Sequence, residues 1–211
     1  MQNPKDLSVS IQGPSGQIEA LLTDANHAKS LAIICHPHPL HGGSMHNKVV
    51  HTITRACHRQ GIISLRFNYR GVGKSAGSYG NYAGELQDAI AIKDWLKENY
   101  PGYNIIAAGF SFGAYIATAL STKEKVQQLI TIAPAINNKS YDEVQKLVTC
   151  PWHVIQGTKD EIVPPDAIYN WQKKIAHKNK LHLIENAGHF FHGKLIELRE
   201  LIEKILQNPS Y

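Results

Sequence analysis

The stretch Ile105-Ile106-Ala107-Ala108-Gly109-Phe110-Ser111-Phe112-Gly113-Ala114, continuing through Tyr115 to Leu120, carries the reading that decides the fold. An apolar run enters a Gly-x-Ser-x-Gly turn and a helix-forming stretch leaves it. A residue on so tight a strand-to-helix turn is held in a strained backbone conformation, and small residues two positions to either side let strand and helix approach closely. The turn also sets Ser111 at the positive end of a helix, where backbone N–H groups stabilise developing negative charge. A plain glycine-rich turn can carry the same string. The strand before it and the helix after it are what single out Ser111 as a candidate nucleophile.

Outward from this turn the pattern repeats. Short apolar runs occupy 31–35, 62–67, 129–133, 152–156 and 181–184. Runs apolar on both faces suit strands buried between helix layers in a parallel sheet. Between them lie stripes of period 3.6: Val49, Ile53 and Cys57, stopped by Gly61; Leu86, Ala89, Ile92 and Leu96, stopped near Pro101; Ile168, Trp171 and Ile175; and Leu195, Leu198, Ile202 and Ile205. At the start of the chain, alternation through Val9 and Ile11 breaks at Gly13-Pro14-Ser15-Gly16 and resumes at Ile18, Ala20 and Leu22, which predicts a β-hairpin. The expected fold class is α/β: a mostly parallel central sheet with helices on both faces, right-handed crossovers and an N-terminal antiparallel hairpin at one edge. Fewer than twenty residues, with a short helix over 141–148, separate the runs ending at Ala133 and starting at Trp152, so any cap is minimal.

A chain of 211 residues reads as a single domain spanning 1–211, and a globule of that size hides roughly 70% of its unfolded surface. With 43% hydrophobic and 18% charged residues it is neither collagenous, low-complexity nor disordered. The net charge of +5 is mildly basic, and the run Lys173, Lys174, Lys178 and Lys180 reads as a solvated helix face, so no nucleic-acid partner is expected. Three cysteines without a CxxC fit reduced thiols in the cytoplasm. The opening MQNPKDLSVS has no signal-peptide pattern and no run approaches a membrane span, so the expected location is cytoplasmic, away from the membrane. The unusual feature is histidine: twelve in all, five of them (His36, His38, His41, His46 and His51) close together.

A serine hydroxyl is a poor nucleophile at neutral pH and needs a base and a group to orient that base. Two loops just past predicted strands offer them. Gly157-Thr158-Lys159-Asp160-Glu161 offers Asp160, and Asn186-Ala187-Gly188-His189 offers His189. Glu161 and His192 stand close enough to compete for the two roles. His36-Pro37-His38-Pro39-Leu40-His41-Gly42-Gly43 follows the 31–35 strand, where a second oxyanion N–H belongs, the first coming from Phe112. Proline has no N–H, so His38 is the candidate and Leu40 the fallback. The same loop has His-x-His-x-x-His spacing, and His36, His38 and His41 form a rival metal site, although Leu40 stands where metal hydrolases of that spacing carry Asp. Leu40, Tyr69, Arg70 and Phe110 are candidates to border the substrate. Pinning the loop beside the site is the other reading for Tyr69 and Arg70, and for Arg70 a structural ion pair is the favoured one. The glycines of Asn68–Ser75 match no nucleotide-binding motif.

These four loops together resemble the α/β-hydrolase superfamily along essentially the whole chain. The closest resemblance is to small, cap-poor bacterial serine hydrolases near dienelactone hydrolases and the catalytic domains of prolyl-oligopeptidase-like peptidases. The motifs carrying it are His36–Gly43, Asn68–Gly71, Gly109–Ala114 and His189-Phe190-Phe191-His192-Gly193. The resemblance implies Ser111 as nucleophile, Asp160 as acid and His189 as base, with no cofactor and no metal. Its partners would be water and a small ester or thioester, taken in an open, shallow site. Peptide or aminoacyl hydrolysis on the same residues, metal-dependent hydrolysis through His36/His38/His41, and a catalytically idle binding scaffold are the alternatives. Oligomeric state is not legible.

Overall fold

The computed structural model describes residues 5–25, 28, 30–136, 141–175 and 179–208. Among the described residues eight strands form one sheet: β1 (Asp6–Gly13), β2 (Gly16–Thr23), β3 (Ser30–Cys35), β4 (Ile63–Phe67), β5 (Asn104–Phe110), β6 (Gln128–Ile132), β7 (Trp152–Gly157) and β8 (Asn179–Ile184). Their spatial order is β1-β2-β4-β3-β5-β6-β7-β8. The predicted hairpin pairs Gly13 with Gly16, and β2 then runs antiparallel to β4. From β4 onward every pairing is parallel, so the ends of β3, β5, β7 and β8 open at one edge of the sheet.

The parallel strands are apolar on both faces because both faces are covered. On one face Leu31, Ile33 and Ala107 pack against Ile92 and Leu96 of α2 (Ala83–Asn99), Ile116 and Leu120 of α3 (Phe112–Lys123), and Ile168 and Trp171 of α5 (Pro165–Lys174). On the other, Ala32, Ile34 and Ala108 meet Val49 and Ile53 of α1 (Lys48–Arg59) and Ile202 and Ile205 of α6 (Leu195–Gln207). Burying one such side chain contributes about 1.5–3 kcal/mol, so these two layers hold the strand ends in place. α1 starts where the Asn47 side chain accepts the Val49 N–H, and ends before Gly61, whose φ of 67° suits only glycine comfortably.

Element boundaries differ from expectation by a residue or two. The Ile168 stripe ends at Lys174, because Ile175 already has extended backbone. The predicted 141–148 helix is one turn, α4 (Tyr141–Val144), followed by a 3₁₀ turn, so the described residues between β6 and β7 build no substantial cap. Lys178 of the basic run lies outside the described residues. No described helix is long and apolar enough to cross a membrane.

Candidate active site

Ser111 sits where β5 turns into α3, with φ 54° and ψ −115°. That conformation costs a non-glycine residue about 1–3 kcal/mol and persists only where the surroundings over-determine it. Here they do. The Ser111 N–H is held by the Ile132 carbonyl at 2.9 Å, and its own carbonyl accepts the Ala114 N–H at 3.0 Å. A Cβ on Gly109 would strike the Gly113 carbonyl, and one on Gly113 would strike the Cys35 carbonyl. Both motif glycines are therefore required by close approach: one lets α3 leave β5, the other lets the end of β3 lie against the first turn of α3. Ser111 itself is half-buried.

Asp160 and His189 come together as expected. His189 Nδ1 lies 2.9 Å from Asp160 Oδ2 and 3.1 Å from Oδ1, with both side chains buried. The carboxylate also accepts N–H groups from Ile162 at 2.9 Å and Val163 at 2.7 Å, and the Gln156 amide donates to it at 2.8 Å. Burial pushes the Asp160 pKa up, but the hydrogen bond with His189 and the two backbone donors outweigh it and hold the carboxyl below its ordinary value. The two loops are laced together: the Lys159 N–H donates to the Ala187 carbonyl, and a Cβ on Gly157 would strike that same oxygen. The His189 ring lies 5.0 Å from that of Phe110, the residue before Ser111, which sets the imidazole beside the end of β5.

The competing acid and base take other positions. Glu161 accepts the backbone N–H of His189 at 3.2 Å, so it fixes the loop while Asp160 holds the ring. His192 is exposed against Phe190.

The turn at 36–43 divides its histidines. His36 is fully buried; its Nδ1 meets the Pro37 carbonyl at 2.7 Å and its Nε2 accepts the Tyr69 N–H at 3.2 Å. Burial pushes its pKa down to about 3, so the ring is neutral with both nitrogens committed and has no lone pair for a metal. His38 stacks on His41 at 4.5 Å and leans on Phe112 at 4.7 Å. Its Nδ1 accepts the Leu40 N–H at 3.2 Å, which removes the fallback donor. The N–H groups of His41, Gly42 and Gly43 are also taken within the turn. Those of His38 and Phe112 have no partner among the described residues.

Of the four residues expected to border substrate, only Leu40 is exposed, at 65%. Tyr69 and Phe110 are fully buried: Tyr69 wedges between His36, Phe67 and Phe112, and Phe110 packs beneath His189 and Phe190. Packing corrects the expectation that either borders substrate, and Tyr69 instead pins the 36–43 turn through its N–H on His36. Arg70 is locked to Asp88, with Nη2 to Oδ1 at 2.7 Å and its backbone N–H on Oδ2 at 2.9 Å, so the structural ion pair is what forms. Unforeseen residues shape the rim instead. Tyr79 and Tyr82 lie 5.4 and 6.4 Å from the His38 ring, and Tyr82 also lies 4.6 Å from Phe112. Tyr82 has φ 70° in a turn tied by the Gly80 N–H to buried Glu85. A positive-φ tyrosine leaves no sequence signal; the adjacent Gly80 and Asn81 are the only hint.

A family model described as "Serine aminopeptidase, S33" matches residues 38–149. A solved α/β serine hydrolase homologue from Coxiella burnetii is 40% identical, with a TM-score of 0.90 over 97% of this chain and 98% of that one. A serine hydrolase without lid from Xanthomonas campestris is 36% identical, with a TM-score of 0.89 over 98% and 96%. An uncharacterised protein of Rickettsia prowazekii is 34% identical, covering 92% of this chain and 86% of that protein.

Proposed function

Because the chain belongs to the serine aminopeptidase S33 family of hydrolases, within the α/β-hydrolase superfamily, we propose that it is a serine hydrolase of small esters or thioesters working through an acyl-enzyme. Ser111 Oγ attacks the carbonyl carbon as His189 Nε2 takes its proton. Asp160 holds the Nδ1–H tautomer and stabilises the imidazolium. The oxyanion sits between the N–H groups of Phe112 and His38, each contributing about 3 kcal/mol in the transition state. The imidazolium then protonates the departing alcohol or thiol. Water enters, gives its proton to His189 and attacks the acyl carbon, releasing the acid and restoring Ser111.

The observation that carries this reading is the buried Asp160–His189 pair, its imidazole against Phe110, the residue next to a half-buried serine whose φ is positive. The uncapped rim of His38, Leu40, Tyr79 and Tyr82 supports small or short-acyl substrates with the leaving group open to water. No cofactor is required, and the reduced thiols Cys35 and Cys57, pushed up to about 12 by burial and so inert as nucleophiles, support a cytoplasmic setting.

Ser111→Ala tests it: p-nitrophenyl acetate hydrolysis should fall to the uncatalysed rate and be unaffected by chelator in the wild type. Hydrolysis that survives in the variant and disappears with chelator would overturn the proposal. An aminoacyl p-nitroanilide turned over faster than the ester would move the substrate class to peptides on the same residues.

A further inference from the structure

His46 and His51, the two histidines of the cluster left unused by the turn, face a different feature. A cleft of about 250 Å³ lies between the start of α1 and the start of α6, lined by His46, Lys48, His51 and Arg55 on one side and Arg199 on the other, with Leu195 and Ile196 as an apolar lip. Among the described residues no Asp or Glu lines it. We propose that this cleft is a binding site for a phosphoryl or diphosphoryl group of a small molecule.

Three side chains of the lining carry a permanent positive charge, which is what a multiply charged anion needs in order to leave water. Lys48 and Arg55 are exposed and have no ion-pair partner among the described residues. Arg199 is different: its side chain is only 15% exposed, with Nη2 3.3 Å from Glu200 and Nε 3.0 Å from Glu203. The Nε is buried against Glu203, so the two carboxylates, which lie outside the cleft, steady the guanidinium at its wall. Helix polarity points the same way. Among the described residues no side chain caps the first turn of α6, so the N–H groups there are open to an anion. Burial, followed by the charges of Arg66, Arg55 and His46, lowers the His51 pKa against the opposing Asp6, as expected in a positive field.

Shape narrows the ligand. A concave cleft of about 250 Å³ seats one or two phosphoryl groups, and its apolar lip accommodates a carbon skeleton attached to them. α1 follows directly on the 36–43 turn and α6 directly on the His189 loop. An occupant thus bridges the two segments that flank Ser111, whether it arrives as part of a substrate or as a free anion. The inference does not depend on the proposed chemistry, because binding is read directly.

Calorimetric titration with pyrophosphate, in the wild type and in the Ser111→Ala variant, should show one saturable site per chain. The double substitution Lys48→Glu/Arg55→Glu should weaken it at least about tenfold, whereas Lys123→Glu/Lys125→Glu, with the same charge change away from the cleft, should weaken it less than about twofold. Absence of saturable binding, or equal weakening by both doubles, overturns the proposal. Kinetics with acetyl glycerol and acetyl glycerol phosphate then identify the source. Competition by pyrophosphate against the phosphorylated ester alone supports a site for a substrate's own phosphate; altered turnover of the neutral ester supports a free effector in the same cleft.

Discussion

His36 and His189 stand on loops at the same end of the sheet, each just past a strand, and both are buried, at 0% and 3% exposure. His36 belongs to the dense cluster, whereas His189 is on a separate loop near the end of the chain. Yet the clustered ring is spent on its own backbone, with a carbonyl on one nitrogen and the Tyr69 N–H on the other. The separate ring has a carboxylate behind Nδ1 and leaves Nε2 for chemistry. What a histidine does is decided by what holds its second nitrogen, and density along the chain says nothing about that.

The widest separation between the two regions is expected on truncation. His189→Ala should lower kcat by about 10⁴-fold with little change in stability, as loss of the general base does. His36→Ala should leave kcat within about tenfold but cost about 2–4 kcal/mol in urea unfolding, from the cavity and two lost hydrogen bonds. If the two variants exchanged phenotypes, the comparison would be broken.

The carboxylates sharpen it next. Asp160→Asn should cost about 10³–10⁴-fold in kcat, by mispresenting the His189 tautomer. Glu161→Gln should cost less than about tenfold, because its amide oxygen still accepts the His189 N–H. Similar losses in both would reopen the assignment of the acid.

Within the 36–43 turn, backbone and ring can be separated. His38 has φ −54°, which proline tolerates. His38→Pro deletes the N–H and should lower kcat about 10²-fold further than His38→Ala, which keeps it. Equal losses would move the second oxyanion donor elsewhere.

The smallest effect is on stability against pH. His36 is neutral when folded down to about 3, whereas the unfolded ring takes up a proton near 6.5. Over that window the unfolded state binds the extra proton, so acidification destabilises the fold by up to about 1.4 kcal/mol per pH unit. Asp160 acts lower: its depressed pKa contributes stability above the ordinary carboxylate range and loses it below. Urea unfolding of His36→Ala from pH 7 to 5 should show a flatter pH dependence than the wild type.

Much of this was legible in the chain because it is local. The strand-turn-helix of Gly109–Ala114, the alternation of apolar runs with helical stripes, and the order Ser111, Asp160, His189 all need only neighbouring residues or strand ends to be read. What escaped depends on partners distant in sequence or on burial. The ion pair expected of Arg70 is legible but its partner Asp88 is not, and Tyr69 and Phe110 look like rim residues until packing removes them from solvent. Gln156, inside an apolar strand, gave no sign that it would hold Asp160. The basic cleft was invisible for the same reason, since α1 and α6 meet only in the folded sheet.

The central claim, that Asp160 and His189 activate Ser111, is tested most directly by reacting the folded wild type with a fluorophosphonate and mapping the adduct by mass spectrometry. The account predicts one adduct per chain, on Ser111, with its rate of formation reduced by about 10³-fold or more in His189→Ala. An adduct on another residue, or a Ser111 adduct forming equally fast without His189, would contradict it.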